Sequence, residues 1–329
     1  MEYRRIGQSG LTVSEISYGN WLTHGAPPDD ETSTACVHAA LDAGVNLFAT
    51  AAAWGNGDAE RALAKALRGQ RRDGLVLCGG VFWPDGPARN DTGLSRKHLV
   101  TSLHASLDRL ETDYLDIYQL QRFDYRTSLE ETFLALSDLV RQGKILYAGT
   151  AEWTAEQIMR AGALAAEYRV PLIANQPHYS MLWRVAEAQV IPASERLGMG
   201  QLVSLPLAQG ILTGKYSDGA LPAGSRACGS EAARQAIRPL LDPGLVDRVG
   251  LLRGVADHAG LTMAQLAIAW TLQHQEVASA TTGASAPWQV TENAKAAGVT
   301  LTMETRTQID ELLGQYVQTD PRLTFAPLP

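Results

Sequence analysis

The sequence predicts an α/β fold, a single (β/α)8 TIM barrel, on three observations. Strand-like and helix-like segments alternate along the chain. The alternation runs to eight units, more than a doubly wound sheet accounts for. Several strand candidates are apolar throughout, as expected of parallel strands covered on both faces. These candidates are 13–19, 46–51, 75–81, 115–121, 145–151, 172–176, 201–206 and 278–283.

The opening "YRRIGQSGLTVSEISYG" holds two short strand-like runs around a Gln8-Ser9-Gly10 turn. It predicts an N-terminal β-hairpin leading into the first inner strand at 13–19. The helices between strands are marked by stripes. In 95–113, Leu99, Leu103, Leu107 and Leu110 fall on one face, and in 128–142 Leu129, Phe133, Leu136 and Val140 do the same. Ser128 with Glu131, Thr154 with Gln157, and Thr262 with Gln265 have the spacing of capping boxes. The stretch 215–244, rich in Gly, Pro, Ser and Ala, is the longest loop candidate, and 301–317 predicts an extra C-terminal helix.

With 329 residues, 45% of them hydrophobic, the chain is long enough to bury a large core, and one domain spanning 1–329 is expected. The net charge of −7 and the scattered basic residues argue against a nucleic-acid partner. The three cysteines, Cys36, Cys78 and Cys228, lack metal-ligand spacing and read as reduced thiols. The N-terminus is polar from its second residue and no apolar run reaches the roughly twenty residues of a membrane span. A cytoplasmic protein with no membrane segment and no metal is expected, and self-association into a homo-oligomer stays open.

In a barrel, function sits at the C-terminal ends of the strands. The stretch "NLFATAAAWGNGDAE", 46–60, runs through such a junction, yet before Asp58 it holds four alanines, a tryptophan and no acid. The other strand ends fall at 20–24, 80–83, 121–124, 151–153, 176–179, 204–214 and 283–293.

The blocks "YRRIGQSGLTVSEISYGNW", "GLSRKHLVTSLHASLDRLETDYLDIYQLQR", "GKILYAGTAEW", "NQPHYSMLWR", "PLAQGILTGKY" and "GASAPWQVTEN" stand in order along nearly the whole chain. Together they resemble the aldo-keto reductases, in the branch of the potassium-channel β-subunits and their bacterial relatives. That resemblance implies a TIM barrel transferring hydride between NADPH and a carbonyl. It also implies a tyrosine proton donor, a lysine–aspartate pair that lowers the tyrosine's pKa, and a histidine that orients the carbonyl. Here the aspartate position is Ala49, the tyrosine Trp54, the lysine Gly80 and the histidine Gln121. At the cofactor's nicotinamide end, the platform aromatic falls at Ser204 and the carboxamide-binding serine at Ala151, while the partner glutamine is kept as Gln176. At the adenosine end, the resemblance puts Lys215 near the phosphates, Gly283 and Ser285 in the phosphate loop, and Gln289, Glu292 and Asn293 on the helix that follows. Ala286 stands where a basic residue is usual. NADP(H) binding is therefore expected to be weakened or absent.

Each remaining candidate has a functional and an ordinary reading. Trp54 is either a stacking surface or a plug in the vacated site. Gln121 can orient a ligand oxygen but carries no proton to transfer at pH 7. His24 is the expected titrating group of the mouth, set against an ordinary solvated histidine. Arg122 would bind a carboxylate or phosphate, or else form a surface ion pair. Trp21, Trp83 and Trp153, with Trp183, would wall an aromatic pocket, or serve packing. Glu152 reads as a variable polar position, and Asp58 and Glu60 as dipole-favoured acids at a helix start.

The expectation is a repurposed barrel that is not an ordinary NADPH-dependent carbonyl reductase. It would carry out a non-redox elimination, isomerisation or cyclisation on a small organic substrate in a biosynthetic pathway. A nucleotide- or metabolite-binding regulatory pseudoenzyme and an atypical NADP(H)-dependent oxidoreductase are the alternatives.

Overall fold

The computed structural model describes residues 1–21 and 30–324. An antiparallel hairpin comes first, β1 (Tyr3–Arg5) with β2 (Thr12–Ser14). Eight parallel strands then close into a barrel: β3 (Ile16–Gly19), β4 (Leu47–Ala51), β5 (Val76–Val81), β6 (Leu115–Leu120), β7 (Ile145–Ala151), β8 (Leu172–Gln176), β9 (Gly200–Val203) and β10 (Val277–Thr282). Pairing of β10 with β3 completes the ring. The expected TIM barrel is the fold observed.

The run expected as one strand over 13–19 is divided at Glu15. The Glu15 N–H donates back to Glu2 O in the hairpin, while its carbonyl accepts from Ala280 N in the barrel. One residue thus hinges two sheets. Its buried carboxylate pairs with Arg4 at 2.6 Å and accepts the Gly298 N–H at 2.7 Å. Ile6 and Val13 of the hairpin join Leu47, Val76, Ile117 and Leu202 in the barrel's inner core, so the hairpin stoppers the bottom. That docking needs glycine: a Cβ on Gly7, whose φ is +52°, would lie 2.2 Å from Gly198 O.

Outside the ring run α1 (Asp30–Asp42), α2 (Asp58–Leu67), α3 (Arg96–Leu110), α4 (Leu129–Arg141), α5 (Ala155–Tyr168), α6 (Val190–Arg196), α7 (Glu231–Ile237), α8 (Pro243–His258), α9 (Met263–Leu272) and α10 (Pro287–Ala294). The leucine stripe of α3 is buried, with Leu99 and Leu103 wholly enclosed. Thr154 and Thr262 form full capping boxes with Gln157 and Gln265. The box expected at Ser128 is only half made. Ser128 accepts the Glu131 N–H, but the Glu131 carboxylate turns to the Arg96 N–H at 2.9 Å on the neighbouring helix. The stretch 215–244 is not simply a loop, because Ser230 caps α7 within it. The expected C-terminal helix is α11 (Met303–Leu313). Beyond it, Gln318 pairs with the loop after β8, donating to Leu182 O and accepting from Arg184 N, both at 2.8 Å. No helix among the described residues is long and apolar enough to cross a membrane.

Cys36 and Cys78 are buried, Cys228 is exposed, and burial pushes the Cys78 thiol up to about 12. A thiol-specific chromogenic reagent should therefore titrate one cysteine rapidly in the native protein and three in denaturant.

Candidate functional site

The strand ends gather the sequence's candidates into a ring. Gly19 pairs with Ala49, Ala51 with Gly80, and Ala151 with Gln176 across successive ladders. The Gln121 N–H donates to Val81 O at 2.9 Å, extending the β5–β6 ladder by one bond. This fixes Gln121 beside Gly80. A Cβ built on Gly80 would lie 2.4 Å from Gln121 Nε2 and 2.6 Å from its Cδ. The amide of Gln121 therefore fills the space that any side chain at position 80 would enter. Its Oε1 is buried without a partner among the described residues. With Ala49 6% exposed in the inner core, the two positions hold neither a cation nor an anion.

Trp54 opens a tight turn, 54–57, in which Gly55, Asn56 and Gly57 all take positive φ (61°, 51° and 86°). The turn is held from behind. Arg109 of α3 donates to the buried Glu60 at 2.6 Å, and its side chain passes where a Cβ on Gly57 would be, 2.5 Å from Arg109 Cδ. Burial pushes the Glu60 carboxyl up, against the pull of Arg109. Trp54 itself is half-buried.

Arg122 places a cation at the mouth, at the end of β6. It is half-buried and makes no ion pair among the described residues. Its Nη1 donates to Gln121 O at 2.9 Å, its Nε has no partner, and its guanidinium lies 5.4 Å from the centre of the exposed Trp83 ring. Burial lowers its pKa, opposed by Glu152 on the next strand end. The surface ion pair considered for it is not made. Trp153 corrects the sequence reading differently. It is wholly buried and packs edge-on against Phe123 at 5.0 Å, so it underlies the mouth and does not wall it. Trp21 is 37% exposed at the end of β3, near Arg226 at 5.9 Å. His24 lies outside the described residues.

Three groups that the sequence reading gave no role stand in the ring. Glu152, after β7, has a left-handed φ of +59°. Its carboxylate accepts the His178 N–H at 2.5 Å, and its Oε2 is 3.6 Å from His178 Nδ1. The only available signal was positional, since both belong to the strand ends 151–153 and 176–179. The third group is Arg226, half-buried, bonded to Gln209 and close enough to Lys215 for the lysine to feel its charge. Burial lowers the pKa of both, and Arg226 adds to the shift at Lys215. Two crowded cations, with no ion pair among the described residues, suit a phosphate or pyrophosphate.

The remaining candidates divide. Gly283 and Ser285 are exposed after β10, and Ser285 donates N–H and hydroxyl to Gln289 Oε1 at 2.8 and 3.2 Å. The N-terminus of α10 carries no side-chain cap. Asn293 is buried. The Glu292 carboxylate is already engaged by Gln265 and Lys295, which removes it from direct ligand contact in this arrangement. The Ser204 hydroxyl is spent on Pro177 O at 3.2 Å.

The description "Aldo/keto reductase family" matches residues 15–313. The chain belongs to the aldo/keto reductase family. It is 39% identical over 326 residues to a probable voltage-gated potassium channel subunit beta of Arabidopsis thaliana, covering 98% of each chain. A protein of the same description from Oryza sativa subsp. japonica is 40% identical over 330 residues, covering 98% of this chain and 99% of its own. A putative voltage-gated potassium channel subunit beta of Schizosaccharomyces pombe is 40% identical over 321 residues, covering 94% and 93%. Aldo/keto reductases typically bind NADP(H). By the resemblance, Lys215, Ser285 and Gln289 would face that group's phosphate end, and Ser204 and Ala151 its nicotinamide end. Among the described residues no His, Cys, Asp and Glu cluster could hold a metal ion.

Returning a lysine alone to position 80 should destabilise the fold by about 3–5 kcal/mol, because a buried charge is left unpaired. Returning Ala49→Asp with Gly80→Lys should recover most of that loss. Urea unfolding of the single and double variants measures both.

Proposed function

We propose that this aldo/keto reductase barrel has been turned to non-redox chemistry on a small organic anion: an isomerisation, elimination or cyclisation, as a biosynthetic step requires. The observation that carries the reading is Arg122. A half-buried guanidinium without an ion pair among the described residues, set over an exposed tryptophan, is costly unless a ligand completes it. Gln121 supplies an amide beside it, Trp54 and Trp83 supply flat apolar surface, and the ligand's carboxylate would take the guanidinium in a two-bond contact. Gln121 then orients, Trp54 shapes, and neither moves a proton.

Hydride transfer to a carbonyl is not supported. Its proton would have to come from position 54, where an indole stands, aided by positions 49 and 80, where there is no charge. Loss of a general acid alone typically costs about 10²–10⁴-fold. With a panel of reactive aldehydes, NADPH consumption should stay below the roughly 1 s⁻¹ at which ordinary enzymes begin. A faster rate would favour the atypical oxidoreductase instead.

A second reading, a nucleotide-responsive regulatory protein, draws on Lys215 and Arg226 and on the description of the relatives as channel β-subunits. Calorimetry separates the halves of the cofactor. If the phosphate end alone is competent, NADPH should bind no tighter than ADP-ribose 2′-phosphate, and Lys215→Ala should weaken both alike. Sub-micromolar NADPH binding that far exceeds the fragment's would overturn this account of the site.

A further inference from the structure

The mouth described above orients and binds, but none of Trp54, Gln121 or Arg122 transfers a proton at neutral pH. The strand ends of β7 and β8 carry the missing chemistry. We propose that His178 is the proton-transferring residue of this barrel and Glu152 its positioning carboxylate, acting on an organic acid that bears a carbonyl next to a C–H bond. This rests on the reading of Arg122 as the anion anchor.

Four observations support it. Glu152 is held in a left-handed conformation, costly for a residue with a side chain and concentrated at functional sites. That conformation aims both carboxylate oxygens at one residue, Oε1 at the His178 N–H (2.5 Å) and Oε2 toward Nδ1 (3.6 Å). Closing the second gap by less than an ångström makes a carboxylate–imidazole hydrogen bond, which fixes the tautomer and leaves Nε2 for substrate. The exposures differ as the two roles require: the Glu152 side chain is 11% exposed and that of His178 39%. Finally, Arg122 feels the charge of Glu152 from the adjacent strand end, so cation, carboxylate and imidazole share one arc of the ring.

The surroundings keep the pair isolated. Glu152 and His178 line a narrow pocket with Trp153, Asn175, Trp183 and Thr324, and among the described residues they are its only titratable groups. On the loop that follows, Arg184 is paired with Asp310, and Glu187 accepts the Tyr179 hydroxyl. The pocket has about 10 Å³ open to a water's centre, room for about one water, so the organic acid itself must sit in the mouth beside it. Trp153 Nε1 is buried without a partner, a donor suited to that water.

The step needs no further reactant. An imidazole can remove a carbon-bound proton that an adjacent carbonyl acidifies. That proton passes from carbon to His178 Nε2, and the bonding pair moves toward the carbonyl oxygen to give an enolate. Its return to oxygen or to carbon completes a tautomerisation.

Phenylpyruvate is the probe, since it joins a carboxylate, an acidified carbon and a ring for Trp83. In D₂O, proton NMR should show the full chain speeding exchange of the C3 protons over buffer. His178→Gln should lose about 10²–10⁴ of that acceleration. Arg122→Gln should raise the half-saturating concentration about ten- to a hundredfold and spare the saturated rate. Glu152→Gln should move the rise of the pH profile to lower pH, because removing the carboxylate disfavours the imidazolium; the His178 ring signals should report the same displacement without substrate. Undiminished exchange in folded His178→Gln, or a profile unmoved in Glu152→Gln, would overturn the proposal. Saturation-transfer signals from the phenyl ring, lost in Arg122→Gln, separate two failures. Binding without exchange refutes the dyad and leaves the anion site standing, and no binding refutes both.

Discussion

Everything at the mouth depends on the seam where β10 meets β3. Ala280, Thr281 and Thr282 align with Ile16, Ser17 and Tyr18, and the Ser17 and Thr281 hydroxyls meet at 2.9 Å. The seam tolerates no side chain at its upper edge, since a Cβ on Gly19 would lie 2.7 Å from Thr281 Cγ2. Because closure joins the first and last strands, it brings eight strand ends from across the chain into one ring. Trp54, Gln121, Glu152 and His178 are neighbours around an axis for this reason, not through any local tendency of their sequences.

Within that ring the polar groups are unevenly spread. A buried ion pair is tolerable as a pair and expensive as either half, so positions 49 and 80 can change together far more easily than singly. Ala49 and Gly80 leave room, and the Gln121 amide lies down into it. On the β6–β8 side stand Arg122 and Glu152, with the His178 imidazole beside the carboxylate, and at the rim stand Lys215 and Arg226. The turn carrying Trp54 did not have to move, because Arg109 and Glu60 hold it from outside the barrel. The scaffold and the chemistry are thus separately adjustable.

The barrel was legible in the sequence because its signals are local: apolar runs for the strands, four-and-three leucine spacing for α3, and cap pairs three residues apart at Thr154 and Thr262. What escaped was decided at long range. The break at Glu15 follows from partners at Glu2 and Ala280, and the Ser128 box is half made because Glu131 is drawn to another helix. Of the site, positions 49, 54, 80 and 121 could be singled out by resemblance to known blocks. Glu152 and His178, 26 residues apart, show no motif, and their relation becomes visible only when β7 and β8 lie side by side. Arg226 was hidden in an irregular stretch whose composition suggested only a loop.

The pairing of Gln318 with Leu182 and Arg184 also imposes an order of assembly. On the ribosome, β8 and its loop emerge long before Gln318 is made, and contacts of such wide sequence separation form late. The loop behind His178 therefore waits, unfinished, while the opposite side of the barrel can already pack. The corner of the ring that holds the imidazole is secured only once Gln318 has been made and has paired with it.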